Sequence, residues 1–332
     1  MSSTTSVLFN GLTEHAVVSG DPSGLKKEYT DAFSWFAWAY TTNGTIQHLL
    51  TKFDSGDGRG IALYKETTSG IGGDPDNQLT VYISNSGANR IIVTTYSSYI
   101  TNTLSSLGWR FVGFTYDGSG LASGVTIYID GHPVYATIVA DTLGANTIDN
   151  TTNFQVSGYG GTAGNEWVGG VDEVMLYDDE LTESEVLALW DNYLENKTTP
   201  DPTLIGPTGD LGEWWQMGDG DTFPTLSAQI NGAHDLTMTN MVAGDIVTAA
   251  PFPYPAITWD QIIGAGGAVQ KNYRMRGVDS TCPASQQPAY VYWDVTDSPD
   301  ITAAQADPGI LICGSDPLTD IADITVYRTW NT

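Results

Sequence analysis

The sequence predicts an all-β protein: an antiparallel β-sandwich closed by one short helix, with a smaller β domain at the C-terminus. Apolar and polar residues alternate with period two through most of residues 6–195. Gly, Asp and Asn clusters interrupt that alternation at the spacing of a sandwich. Thr, Ser, Gly, Asn and Tyr are abundant, while helix-favouring charged stretches are few. Hydrophobic residues make up 41% of the chain, enough for a globular core, so the 15% charged fraction does not signal disorder. A chain of 332 residues has room for more than one domain. The boundaries read as 1–195 for the sandwich, 196–255 for a linker and extension segment, and 256–332 for a small C-terminal β domain suited to attachment or assembly.

The elements follow in order. Phe33 to Tyr40 is apolar on both alternating faces, which predicts a central strand covered on both sides with Trp35 and Trp38 packed in it. Leu79 to Ile83, Ile91 to Tyr96 and Phe111 to Tyr116 read as further strands. Val125, Ile127 and Ile129 then face one way, and Thr126, Tyr128 and Asp130 the other. Asp130-Gly131 supplies the left-handed dihedrals of a tight hairpin, and Pro133-Val134-Tyr135 starts the return strand. Val171 to Tyr177 is the last strand of the sandwich.

Thr182-Glu183-Ser184-Glu185 is a capping box, and Val186, Leu187, Trp190, Tyr193 and Leu194 recur behind it at helical spacing. Asn196 to Pro202 reads as a linker. Residues 203–255 hold the Trp214-Trp215 pair, a Gly/Asp run at Gly218 to Asp221 and a Pro-rich exit at Pro251 to Pro255. Beyond 256, Ala289 to Val295 and Ile324 to Trp330 are strand-like.

Charge excludes partners. Twelve Lys and Arg stand against 39 Asp and Glu, a net charge of −27. Such a chain repels a phosphate backbone and an anionic bilayer, which argues against nucleic acid and lipid, while it supplies carboxylates for divalent cations. No apolar run is long enough to insert into a membrane. Met1 to Val7 lacks a basic-then-apolar pattern, so the expectation is a protein made in a host cytoplasm and released by lysis as part of a virus particle. Cys282 and Cys313 close one disulfide or remain two buried thiols; spacing does not decide between them.

Catalytic motifs are missing: there is no His-Glu-x-x-His, phosphate-binding glycine loop or Gly-x-Ser-x-Gly elbow. His15, His48, His132 and His234 are dispersed. Asp54-Ser55-Gly56-Asp57-Gly58 lacks the acidic third position of a calcium loop and reads as a Gly-rich hairpin turn.

Three stretches, in the right order, resemble the laminin-G-like, concanavalin A-like jelly-roll family. Val7-Leu8-Phe9-Asn10-Gly11 with Phe33-Ser34-Trp35-Phe36-Ala37-Trp38 is similar to its first strands. Leu107-Gly108-Trp109-Arg110-Phe111-Val112 with Val125 to Gly131 is similar to its middle hairpin. Trp167-Val168-Gly169-Gly170-Val171-Asp172-Glu173-Val174, leading to Tyr177, Leu181 and Glu185, is similar to its last strand and helix. The resemblance implies a jelly-roll sandwich and a lectin-like scaffold.

It also implies a calcium site at the sandwich edge, with Asp172 as the carboxylate and Asn10-Gly11 as the source of carbonyl oxygens. Glucanases of this fold carry Glu-x-Asp-x-x-Glu on one strand, and no such spacing occurs here, which disfavours hydrolysis. For glycans, the candidates are Tyr159 and Trp167 in the loop Gly158 to Gly170, then Trp214 and Trp215.

Gly212 to Val247 further resembles regions that follow such domains in tailed-phage structural proteins. The expectation is therefore a non-enzymatic virion surface protein, a capsid decoration or a tail or fibre component. Its partners would be other virion proteins or copies of itself, together with host-surface glycans. A free carbohydrate-binding module or adhesin is the alternative, and a divergent glycoside hydrolase the third reading.

Overall fold

In the computed structural model the described residues are 4–41, 45–66, 78–95, 109–160, 165–196, 202–204 and 210–248, with isolated strands at 271–276, 291–295 and 325–328. Two compact units divide at Pro253 and Tyr254. Cys282 and Cys313 lie outside the described residues.

The first unit is two antiparallel sheets packed face to face. Strand β1 (Ser6–Asn10) and β2 (His15–Val18) belong to opposite sheets. The central strand β3 (Phe33–Ala39) is buried along its whole length, as its two-sided apolar pattern predicts. Next come β4 (Gln47–Asp54), β5 (Arg59–Glu66), β6 (Gln78–Ser84) and β7 (Arg90–Thr95), a run of antiparallel neighbours. The chain then returns to the first sheet through β8 (Arg110–Tyr116), β9 (Val125–Ile129) and the short β10 (His132–Pro133). Asp130 (φ 52°) and Gly131 (φ 76°) make the predicted hairpin turn. The return strand is brief. After Pro133 the chain leaves for the other sheet as β11 (Ala136–Asp141), the edge strand beside β7.

Strand β12 (Gln155–Val156) joins β2 to β4, and the long β13 (Val168–Tyr177) lies between β3 and β1. Helix α1 (Glu183–Asn196) starts at the expected capping box. The Thr182 amide donates to Glu185 Oε2 at 2.7 Å and the Glu185 amide to Thr182 Oγ1 at 3.4 Å. Val186, Leu189 and Trp190 are buried, and Trp190 packs on Gly131 and His132 at the β9–β10 turn.

Residues 196–255, expected as a linker and extension, contribute strands to both sheets. Strand β14 (Leu211–Trp215) pairs with β13, and β15 (Thr225–Leu226) with β16 (Leu236–Thr239). Strand β16 in turn pairs with β2, and β17 (Ile246–Val247) with β1. The sheets thus hold eight and nine strands. In the second unit β18 (Lys271–Arg276) lies between β19 (Val291–Val295) and β20 (Thr325–Arg328) in a three-stranded sheet.

Register decides which side chains face the core. In the nine-stranded sheet Leu50, Leu63, Val81 and Val93 stand directly opposite one another across β4 to β7, all in the single hydrophobic core. Phe33, Trp35, Val112 and Phe114 meet them from the other sheet. With a side-chain period of two, the neighbours of those residues must point away from the core. That outward set forms the site described next.

Candidate functional site

The outward positions of β4 to β7 form three rows. His48, Tyr64, Thr80 and Thr94 are in register, as are Thr51, Ala62, Tyr82 and Ile92, and then Phe53, Gly60, Ser84 and Arg90. The small residues Gly60 and Ala62 on β5 leave room for Phe53 and Tyr82 to meet over them at 5.4 Å between ring centroids. The loop after β12 adds one more ring. Ser157 (φ 63°), Gly158 (φ 97°) and Gly160 (φ 46°) turn the chain tightly around Tyr159. Thr51 Oγ1 donates to Gly158 O (3.0 Å) and Ser55 Oγ to Gly160 O (2.9 Å), tying the loop to β4. Tyr159 is thereby held 5.1 Å from Phe53 and 4.4 Å from His48, and His48 stacks on Tyr64 at 5.0 Å.

The result is one unbroken strip of ring contacts. It runs from Arg90, 6.0 Å over the ring of Tyr82, through Phe53, Tyr159 and His48 to Tyr64. Phe53 and His48 are buried beneath it, while Tyr64, Tyr82, Tyr159 and Arg90 are half-buried. Hydroxyls flank the rings: Thr80 and Thr94 hydrogen-bond at 2.7 Å, and Thr80 also meets the Tyr64 hydroxyl.

Burial pushes the His48 pKa down to about 4, so its imidazole is neutral at physiological pH. Burial also raises the Tyr64 and Tyr159 phenols above their ordinary value, keeping both protonated. Among the described residues, His48 Nδ1 and Gln78 Nε2, both on this outward face, are buried polar atoms without a hydrogen-bond partner. Such atoms are rare enough in folded proteins to call for a role. Flat rings beside hydroxyl, amide and imidazole groups are the chemistry that receives a sugar ring: C–H faces on the aromatics, hydroxyls on the polar groups.

Of the four aromatics the sequence singles out for glycans, only Tyr159 is on this strip. Trp167 is 0% exposed; its indole fills the core and its one polar atom donates to Tyr40 O at 2.9 Å. Trp215 is likewise buried, stacked on Phe154 with its Nε1 donating to His234 O. Both rings point into the core, so neither can present a face to a ligand. Trp214 has the outward phase but lies on the other sheet, where its Nε1 donates to Glu173 Oε2 at 2.6 Å. Tyr64, Tyr82, Phe53, His48 and Arg90 were missed. For Tyr64 and Tyr82 the signal was the alternation Ile61-Ala62-Leu63-Tyr64 and Leu79-Thr80-Val81-Tyr82-Ile83, aliphatic inward with Thr80 and both tyrosines outward.

The expected calcium trio is not assembled. Asn10 stands opposite Val168, four positions along β13 from Asp172, a separation of roughly 13 Å at the rise of a strand. Asn10 is instead bonded to Glu14, and Gly11 packs against Val168. Asp172 is fully buried and accepts the Glu173 amide at 2.9 Å. The loop at Asp54 to Gly58 is the β4–β5 hairpin turn, as its sequence predicts.

Glu173 is the second unusual group. It occupies the bulge where β13 slips against β3, at φ 48°. Burial, with a further push from Asp219, raises its pKa to about 8 against the opposing hydrogen bond from Trp214.

The first unit is thus a two-layer antiparallel sandwich with a polar and aromatic outer face on its nine-stranded sheet. Residues 13–187, more than half of the chain, match the laminin-G type profile described as the Concanavalin A-like lectin/glucanases superfamily, and the chain belongs to that family. No curated protein matches the chain. Among solved structures, a Bacteroides ovatus protein described as carbohydrate-binding aligns at 18% identity with a TM-score of 0.50. The alignment covers 72% of this chain and 59% of that one, so the chain spans about three-fifths of that protein's length. The heptameric SAP-like pentraxin of Limulus polyphemus aligns at 11% identity, with 72% and 97% coverage and a TM-score of 0.44. The Ruminococcus gnavus IT-sialidase CBM40 aligns at 14%, with 55% and 95% coverage and a TM-score of 0.41. At these identities the likeness concerns the fold. Among the described residues no helix is long and apolar enough to cross a membrane.

Proposed function

We propose that the chain is a non-catalytic glycan-binding module whose binding surface is the strip on the nine-stranded sheet. The observation that carries this is the continuity of the strip: Tyr82, Tyr159 and Tyr64 are half-buried rings in one chain of contacts, flanked by hydroxyls and two unsatisfied polar atoms. Hydrolysis finds less support. Canonical pairs of carboxylates flank a glycosidic bond, and among the outward positions of β4 to β7 Glu66 is the one carboxylate.

The test is a glycan array read with the wild-type chain and with Tyr82→Ala and Tyr159→Ala. Loss of the bound glycans in both variants, with unchanged far-ultraviolet circular dichroism, is the expected result. Binding that survives both substitutions would move the site elsewhere, and turnover of a bound glycan would make the chain an enzyme.

We further propose a virion surface as the setting of this module, with residues 256–332 as its attachment to sister subunits or other virion proteins. Support comes from the resemblance of Gly212 to Val247 to tailed-phage structural proteins. Mass spectrometry of purified particles would find the chain there; a secreted, free monomer would return the reading to an independent carbohydrate-binding module or adhesin.

A further inference from the structure

From the charge pattern around the strip we infer that its ligand is a glycan carrying a single carboxylate, and that Arg90 selects it. The inference rests on the platform reading above and sharpens it.

Most of the cations described in the first unit of this acidic chain meet an oxygen of the chain itself. Lys26 and Lys52 meet Asp21, Lys27 meets Asp178, Arg59 meets Asp57 and Arg110 meets Asp130. Lys65 donates to Thr45 O at 3.1 Å. Among the Lys and Arg side chains described in the first unit, Arg90 is the one with neither a carboxylate nor a carbonyl on it; its guanidinium lies over Tyr82 at the end of the strip. In a chain of net charge −27 an Arg kept clear of carboxylates is poorly explained by folding.

A guanidinium held over a ring by cation–π attraction spends none of its N–H donors on that contact. Those donors match the two oxygens of a carboxylate in a bidentate pair. A sugar ring laid on Tyr82 and Tyr159 would bring a ring carboxylate to that edge. The same net charge limits the choice, because a polysulfated or polyuronic chain would be repelled by the whole molecule while one carboxylate meets one local cation.

The experiment is a printed array of carboxylated glycans beside their neutral or carboxyl-reduced counterparts, with heparin included, probed with the wild type, Arg90→Gln and Arg90→Lys. Singly carboxylated members should be preferred over their neutral partners. Arg90→Gln should lower affinity for the acidic members by about tenfold and remove their preference over the neutral partners, and Arg90→Lys should fall between. A melting temperature within about 1 °C of wild type is expected for both, since Arg90 is a half-exposed side chain without hydrogen bonds. Equal binding of acidic and neutral partners, or strongest binding to heparin, overturns the carboxylate inference and leaves the platform standing. No binding to any member overturns the platform as well.

Discussion

The two outer faces of the sandwich are built from the same kinds of residue and end in opposite states. On the eight-stranded sheet Phe36 and Phe111 stack at 5.2 Å, with Trp38, Tyr128 and Met175 around them, all buried. The chain supplies its own cover at the margins of that face: Trp190 of α1 on the β9–β10 turn, and Trp214 of β14 beside Met175. On the nine-stranded sheet the rings of Tyr64, Tyr82 and Tyr159 stay half-buried and their neighbours include unsatisfied polar atoms. An aromatic outer face is therefore not itself a binding face. What separates packing from recognition is whether the chain covers its own rings.

The sharpest way to break the comparison is a matched pair of truncations. Phe111→Ala on the covered face should cost about 3–5 kcal/mol, lowering the melting temperature by roughly 10 °C in a domain of this size. Tyr82→Ala on the open face should cost about 1 kcal/mol, mostly its ring contact with Phe53, and abolish glycan capture. Equal destabilisation by the two, read by thermal denaturation, would mean that the two faces do not differ in kind.

Much of the covered face was legible in the sequence and little of the open one. The two-sided apolar run at Phe33 to Tyr40, the Asp130-Gly131 turn and the Thr182–Glu185 capping box are local signals, and each produced the element it implies. The strip is assembled from β4, β5, β6, β7 and the loop after β12, whose contacts span more than a hundred positions. Sequence also cannot tell an inward Trp from an outward one when a loop of uncertain phase precedes it, which is why Trp167 looked like a ligand contact. The glycines at 158 and 160 were visible, but the ring they aim was recognised without its partners.

Acidity sharpens the contrast next, because each face holds a buried titratable group with a strongly shifted pKa. Glu173 has a folded pKa of about 8 against the usual 4.5, so the folded state keeps its proton while the unfolded chain loses it. Stability must therefore fall as pH rises from about 4.5 towards 8 and level off above that. Glu173→Gln keeps an oxygen for Trp214 Nε1 and removes the titration; it should be more stable than wild type at pH 7 and indistinguishable near pH 4. A variant less stable at neutral pH would show that the ionised carboxylate is the form the fold uses.

His48 runs the other way. Its folded pKa of about 4 lies below the ordinary 6.5, so the unfolded chain binds the proton first. Its contribution is complete above pH 6.5 and is lost as pH falls towards 4. His48→Phe should flatten that acid limb in a denaturant titration while leaving stability at pH 7 within about 1 kcal/mol. A limb of unchanged steepness would assign the acid sensitivity to other groups, with the carboxylate–lysine pairs around Asp21 the next to test.

Calcium is expected to matter least. A site at the sandwich edge needs Asp172 within ligand distance of the Asn10-Gly11 carbonyls, and the β1–β13 register holds them roughly 13 Å apart. Bringing Asn10 opposite Asp172 would take a slip of four positions, which breaks the β1–β13 pairing of Val7 with Val171 and Phe9 with Gly169. Removing calcium with EGTA should accordingly leave the melting temperature within about 1 °C, because a ligand shifts stability only where the native state binds it. A fall of several degrees, cancelled by Asp172→Asn, would place a cation on Asp172 with ligands other than Asn10 and Gly11. It would also make the buried end of β13, rather than the aromatic strip, the first place to look for a calcium-dependent contact.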